Sequence, residues 1–400
     1  MIAIKSFLNR VLILFIIGFI ITFPFPFFII PDLGSFFSPF FVDINQFTGL
    51  FLGVDPDSEF SILSDSTGLY LHLITLLNLS SIFALFWMLK VKSISLKFKT
   101  YFRIFIAYYL ALILFKYGFD KIFKHQFYFP EPNTLYTPLN QLSKDILFWS
   151  SMGTSYMYSL FSGLIELLPA VLLLHKRTRL FGSVIAFGVL VNVVMINFGF
   201  DISVKVFSLF LALLSIVIIS PDSKRLYQLF TCKLVDSRVV ERTFESKKSV
   251  LKYALLKSLV VSLILFESIG PYVQTQNFND DTFTKPYLNG AYFVVNSNTD
   301  TREIKRVFFH RKQYFIIQYA NDSFESFQLE FAKNKKSITL ISENDSTLRY
   351  QWSVTHKGQA LNLEGKLRGQ HVLIKTVREE LELSPIANDS FHWTFDAAID

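Results

Sequence analysis

Cysteine is almost missing from this chain. Cys232 is the single thiol among 400 residues, so neither an intramolecular disulfide nor a CxxC redox pair can form. Its basic surroundings place it in a reducing, cytoplasmic loop as an incidental thiol. Charge is scarce too: Asp, Glu, Lys and Arg make up 18% of the residues, against about 25% in a soluble protein. So little charge cannot cover a water-facing surface, and a large part of the chain must face lipid. The same composition excludes a disordered, coiled-coil, collagen-like or disulfide-stapled protein. GxGxxG, P-loop, HExxH and GxSxG motifs are absent. His72, His125, His175, His310, His356, His371 and His392 are scattered without metal-ligand spacing, so no metal centre is expected.

Apolar residues are abundant instead, at 51%, with 46 Phe and a mean hydropathy of +0.39. Seven apolar stretches reach the roughly 20 residues that a bilayer-spanning helix needs. They run over 8–30, 68–89, 101–119, 155–174, 180–199, 204–220 and 253–272. The first is too long for a signal peptide and runs into Pro24, Pro26 and Pro31 without a cleavage site. It reads as an uncleaved helix that kinks or ends near Pro24.

The formal net charge of +7 suggests nucleic acid until it is located. Residues 1–272 hold 24 Lys and Arg against 16 Asp and Glu, whereas residues 273–400 hold 15 against 16. The excess therefore belongs to the apolar part, and no nucleic-acid partner is expected. Loops on one side of the seven stretches carry eighteen Lys and Arg, those on the other side four. Basic loops stay cytoplasmic. The expectation is a multi-pass protein of the bacterial inner membrane, with its N-terminus inside and residues 273–400 in the periplasm. The first outer loop holds Asp32, Asp43, Asp55, Asp57, Glu59 and Asp65 and no base. Its Phe-rich piece, Ser35 to Phe41, is expected in the interface rather than across the membrane. Trp149, Tyr156 and Tyr158 fit an outer aromatic belt, and Trp87 and Tyr101 an inner one.

After Pro271 the pattern changes. Apolar and polar residues alternate over 306–318, 327–331, 337–341, 348–354, 361–365 and 371–377. Short polar turns separate them, including Asn321-Asp-Ser, Lys333 to Lys336, Asn344-Asp-Ser, His356 to Gln359 and Arg368-Gly369. Period two with no helical interlude predicts an antiparallel meander of about eight strands. Closed on itself, it makes a small up-and-down barrel resembling the lipocalins; an open two-layer sandwich is the alternative. A third Asn-Asp-Ser stands at 388, and turn chemistry accounts for all three copies.

The remaining candidates are charges inside the membrane. An ionisable group at mid-bilayer costs at least about 2.5–3.5 kcal/mol, so it should face the bundle and meet a partner. Glu166 lies halfway along its stretch with no partner three or four residues away. Lys116 and Asp120, like Asp201 and Lys205, stand at i,i+4, where each pair can neutralise itself on one helical face. Asn192 lies at mid-depth, and Asn197 nearer the outside. Glu267 comes late in the last stretch and is expected to reach the outer interface. Lys116, Asp120, Glu166, Asn192, Asn197, Asp201 and Lys205 together would mark one polar pocket towards the outer leaflet.

Residues 100–222 resemble the DoxX family of four-helix membrane proteins. The likeness rests on Lys116-Tyr-Gly-Phe-Asp-Lys121, similar to the family's Gly-x-x-Lys, and on Glu166 followed by Leu-Leu-Pro-Ala. It rests also on the basic turn Arg177-Thr-Arg-Leu-Phe-Gly182, with Asn192 at an often-polar position. The resemblance implies a pocket for an isoprenoid quinone or similar lipid, with Lys121 and Glu166 lining it. The chain then divides into a transmembrane hairpin (1–99), the DoxX-like core (100–222), a basic loop with the seventh helix (223–272) and an exported β-domain (273–400). Two functional readings stand side by side. In one, the bundle is a non-enzymatic anchor for a β-domain that binds a lipid or an envelope protein. In the other, Glu166 is the candidate catalytic proton carrier of a quinone-binding subunit, with Lys116 or Lys121 stabilising the reduced oxygen and a membrane redox partner supplying electrons.

Overall fold

Proline sets the first boundary. In the computed structural model, helix α1 (Ile2–Thr22) stops just before Pro24, and Phe23–Pro31 continues without helical structure. The structure describes residues 2–55, 58, 60–62, 64–232, 247–298, 303–333, 335–342 and 348–387. Asp57, Glu59, His392, most of the basic stretch before Lys252 and the Asn-Asp-Ser copies at 344 and 388 lie outside these residues. After α1 come α2 (Leu33–Phe51), α3 (Thr67–Lys90), α4 (Leu96–Ile122), α5 (Pro132–Leu135), α6 (Lys144–Gly153), α7 (Tyr156–Leu173), α8 (Arg179–Gly199), α9 (Lys205–Ile219), α10 (Ser223–Phe230) and α11 (Lys247–Thr275). Among the described residues, seven helical segments are long and apolar enough to cross a membrane: α1, α3, α4, α7, α8, the α9–α10 run and α11. The Phe-rich piece of the first loop forms α2, which is not among them. Phe36, Phe40, Phe47 and Phe51 stand on its exposed face, while Phe41 and Asn45 are buried.

The chain forms two compact units. One is Met1–Ile122 with Phe161–Asn277; the other is Phe123–Leu160 with Phe278–Asp400. Residues 123–160 thus group with the β-strands in this division, whereas the family resemblance spans them within 100–222.

In the helical unit α4 is the central element. Ile106, Ala107, Leu110, Ala111 and Ile113 on it have no exposed surface at all, as befits a helix apolar all round. Phe19 of α1 meets Phe210 of α9 with ring centroids 4.2 Å apart. Two glycines let α4 and α7 touch backbone to backbone. A Cβ on Gly163 would come within 2.6 Å of the Gly118 carbonyl oxygen, and one on Gly118 within 2.6 Å of Leu167. Small residues at such crossings are how membrane helices approach closely.

In the other unit eight strands close into a barrel in sequential order, every neighbour antiparallel. They are β1 (Gly290–Ser297), β2 (Ile304–His310), β3 (Tyr314–Tyr319), β4 (Phe324–Phe331), β5 (Ser337–Ser342), β6 (Arg349–Lys357), β7 (Ala360–Leu367) and β8 (Gln370–Arg378). β1 pairs with β8 from Tyr292↔Arg378 to Ser297↔Ile374, with an irregularity between Val294 and Asn296 that bends the closing strand. The barrel, not the sandwich, is the outcome. The alternating run 306–318 is a hairpin, turned at Gln313 with φ +61°. At the β7–β8 turn Arg368 (φ +51°) and Gly369 (φ +82°) are both left-handed, which matches the twist of a two-residue hairpin.

The barrel interior is filled. Tyr292, Phe309, Phe315, Phe327 and Trp352 point inward with exposures of 2% or less, in one packed cluster with the aliphatic residues between them. Gly365, paired with Trp352, leaves room for its indole, since a Cβ there would lie 2.3 Å from the ring. Outside β1–β3, Ala291, Phe308 and Ile316 are covered by Tyr136 of the 123–160 segment and by Leu381.

The glycine crossing makes a first test. Gly163→Ala should lower the accumulation and unfolding temperature of the membrane-extracted protein, because the methyl meets backbone. Gly188→Ala on α8, with nothing within 4 Å of the new methyl, should be neutral or stabilising by up to about 1 kcal/mol. Equal behaviour of the two in a thermal-unfolding assay would refute the close α4–α7 approach.

Candidate functional site

The crossing at Gly118 and Gly163 also sets the charges. Lys121 stands three residues after Gly118 and Glu166 three after Gly163, so each carries its charge one turn beyond the contact. Lys121 Nζ donates to Glu166 Oε2 at 2.8 Å, with both side chains under a tenth exposed. The partner that Glu166 lacks in its own helix thus comes from α4. The Tyr117 ring lies 5.4 Å from the Lys121 ammonium.

Lys116 turns away from Asp120. Its Nζ donates to Glu267 Oε1 on α11 at 3.2 Å, and Asp120 accepts from the Tyr272 hydroxyl, also on α11. Glu267 does not reach the interface: it has no exposed surface. The reason lies at the proline break. Phe28, Ile29 and Ile30 there present backbone N–H groups with no helical acceptors. All three donate to the Glu267 carboxylate, Ile29 at 2.8 Å and Ile30 at 3.1 Å. Gly270, one turn on, accommodates the Phe28 ring, where a Cβ would lie 2.5 Å from a ring carbon.

Asp201 and Lys205 do pair, at 2.8 Å, with Asp201 largely exposed. The firmer contact is one the sequence pattern missed. Asp65 accepts from the backbone N–H of Lys205 at 2.8 Å and of Val206 at 3.0 Å. It fills the N-terminal capping role for α9, where a carboxylate also meets the helix dipole favourably. Asn197 is buried, its amide directed at the Val204 carbonyl. Asn192 is exposed on α8. The buried face of α8 runs through Ser183, Ala186, Leu190 and Asn197, and Asn192, two residues past Leu190, points about 200° away from it. The eight candidates therefore do not converge on one pocket. Lys116, Asp120, Lys121 and Glu166 tie α4 to α7 and α11; Asn197, Asp201 and Lys205 surround the α8–α9 turn; and Asn192 faces outward.

A second charged centre, which the sequence did not reveal, lies in the barrel unit. Arg311, in the β2–β3 turn, pairs with Glu131 and with Asp280, and its guanidinium stacks 4.2 Å over Tyr128. Lys124, 1% exposed, pairs with Asp281 at 3.1 Å and donates to the Gly153 carbonyl. Asp281 also accepts from Phe129 N–H at 2.6 Å, and Lys285 pairs with Asp280 at 2.9 Å. Burial works against the Asp280 carboxylate, but Lys285 and Arg311 outweigh it and hold its pKa below the ordinary value. Burial depresses His310, with Glu131 opposing and Arg311 and Lys312 adding to the shift. These groups enclose a cavity of about 360 Å³, lined by Lys124, Glu131, Asp281, Lys285, Arg311 and Arg378 among others. Among the described residues, Arg378 donates to the Asn289 carbonyl, at 3.5 Å.

No family model matches the chain, and no solved structure matches it. A curated relative, an uncharacterized protein named YwoB from Bacillus subtilis (strain 168), is 39% identical over 92 residues. That match covers 23% of this chain and 60% of the relative, so the chain spans less than two thirds of the curated protein it resembles.

Two outcomes test this geometry. Glu267→Ala leaves three backbone amides and Lys116 without their acceptor; breaking a buried pair of this kind costs about 3–5 kcal/mol, so the variant should fail to accumulate, while an exposed control such as Asp43→Ala should accumulate normally. Normal levels of Glu267→Ala would refute the structural role. The barrel unit should respond to acid. His310 has a depressed pKa in the fold, so its contribution is present above the ordinary value of 6.5 and is lost as pH falls through the folded value. Thermal unfolding followed from pH 7.5 to 5 should show falling stability, and His310→Gln should flatten that slope.

Proposed function

We propose that this is a non-enzymatic membrane protein of the bacterial inner membrane. Its bundle holds a barrel unit in the periplasm, and that unit binds an envelope partner through an anionic group. The observation that carries this reading is the contrast between the two charged centres. Inside the bundle, Lys121 and Glu166 satisfy each other, and Glu267 is spent on Lys116 and three backbone amides. In the barrel unit, four cations and two carboxylates line a cavity, and Arg378 has no carboxylate partner among the described residues. A packed interior argues against a ligand inside the barrel, which leaves its outer surface and this cavity for recognition.

The proposed orientation has the N-terminus and Cys232 in the cytoplasm, following the eighteen-to-four distribution of basic loop residues. The DoxX-like reading of residues 100–222 is kept as a proposal, supported by the paired glycine-plus-charge arrangement of α4 and α7. The quinone reading fits less well. A quinone oxygen would need a donor from Lys121 or Glu166, and each is engaged by the other at 2.8 Å.

Truncating residues 273–400 would also strip residues 123–160 of the barrel they pack on, so point variants give the cleaner experiment. A photo-reactive amino acid at Leu381, on the cavity wall, should capture an envelope component in living cells. Arg378→Glu should abolish capture without lowering protein levels. Cys232, exposed and free, should resist membrane-impermeant maleimide in intact cells, while a cysteine placed at exposed Thr355 of the barrel should react. Stoichiometric isoprenoid quinone in the purified protein, lost in Glu166→Gln, would overturn this reading in favour of the redox subunit.

A further inference from the structure

A sizeable cavity of the helical unit lies away from Glu166. It has a volume of about 830 Å³ and lies between the first half of α4, the α7–α8 turn and α11. Along α4 its walls run from Tyr101 to Tyr108, and Tyr108 stands thirteen residues before Lys121, about 20 Å along the axis. Ile104, Phe105, Leu174, Leu256 and Val260 make the walls apolar. Three cations, Lys176, Arg179 and Lys257, and His175 also line it, with no Asp or Glu among the described residues.

These cations are poorly compensated. Arg179 Nε donates to the Leu173 carbonyl at 3.1 Å, and its terminal nitrogens have no partner among the described residues. Neither Lys176 nor Lys257 has a carboxylate partner there. Lys257 stands within the stretch Leu251–Thr275 of α11, which is long and apolar enough to cross a membrane. A lysine within such a stretch calls for an anion or for a route to the interface.

We propose that this cavity binds an anionic glycerophospholipid, independently of what the barrel unit recognises. The phosphate diester would sit among Lys176, Arg179 and Lys257, and the Tyr101 and Tyr253 rings, both half exposed, would flank it at the level where aromatic side chains meet headgroups. The acyl chains would lie along Phe105, Leu174 and Val260. Basic pockets between membrane helices at the cytoplasmic face take such headgroups, each cation contributing about 1 kcal/mol. Three cations around one mouth distinguish an anionic lipid from a zwitterionic one, whose own ammonium would be repelled.

The test uses the full-length protein reconstituted in nanodiscs of phosphatidylcholine, with or without phosphatidylglycerol at equal total lipid. Phosphatidylglycerol should raise the unfolding temperature and be enriched, by mass spectrometry, in lipid retained after detergent extraction. Lys176→Gln and Lys257→Gln should each reduce that enrichment about fivefold. Lys97→Gln with Lys99→Gln removes two exposed charges on α4 outside the cavity lining and should leave it unchanged. Equal retention of both lipids by the unaltered protein would overturn the proposal, as would equal losses in the Lys97/Lys99 control, which would indicate general attraction to a charged bilayer. Inorganic phosphate alone should give no thermal shift; a shift as large as the lipid's would overturn the lipid assignment. Arg179→Gln is informative only beside the lysine variants, because its Nε also holds the α7 C-terminus.

Discussion

Three backbone amides that the proline break leaves without helical acceptors organise much of the helical unit. The prolines after Thr22 end α1 while the chain is still within its apolar stretch, and the N–H groups of Phe28, Ile29 and Ile30 are left without carbonyl acceptors. Non-helical backbone at membrane depth persists only where protein supplies the missing partners. Glu267 supplies them, and its own charge is balanced by Lys116. The consequence spreads through three elements: α11 must lie beside the broken segment, α4 must turn Lys116 towards α11, and the ring of Phe28 must fit over Gly270. A carboxylate that looks from its position like an interfacial residue is in this way the acceptor for a broken helix.

The same logic separates the charges that hold from the charges that could recognise. Lys121 and Glu166 meet because two glycines remove the side chains that would keep α4 and α7 apart. Asp65 completes the first turn of α9, and the Asp222 carboxylate receives Arg103 at 2.6 Å. Each of these ties one helix to another and has little capacity left for a ligand. In the barrel unit the network around Arg311 and Lys124 also ties elements together, fastening residues 123–160 to the barrel. It differs in enclosing space and in leaving Arg378 at the rim.

What the sequence made legible follows from the range of each signal. Apolar length is a property of one segment, so the seven crossings could be read directly, and the boundary at Pro24 with them. Period-two alternation is equally local, so an eight-stranded meander was readable. Closure was readable only as one of two outcomes, barrel or sandwich, because it depends on β1 meeting β8 some eighty residues away. The ion pairs were hidden for the same reason. Lys116 has a ready local partner in Asp120, but burial of its helical face against α11 hands it to Glu267, 151 residues on. Depth and the family resemblance both pointed to Asn192 as a pocket residue, whereas its angular position relative to Leu190 and Asn197 sets it on the exposed face of α8. Segment 123–160 carries no periodic pattern; Glu131 and Tyr136 read as loop residues, and only the fold shows the barrel surface they cover.

The filled barrel bears on how the two units divide their labour. An eight-stranded barrel is just wide enough for its own side chains or for one small ligand, and here Trp352 and four other aromatic side chains occupy that volume. Packing of this kind stabilises a closed sheet that has no free edge and fixes the turns at either end. It also makes the barrel a rigid platform for β2–β3 and its turn, from which Arg311 reaches Glu131 and Asp280. Rigid support is what a recognition surface needs, because immobilised side chains lose less entropy when a partner docks. The interior would thus serve the proposed recognition indirectly: its packed side chains back the strands from which the Arg311 turn projects, beside the polar cavity.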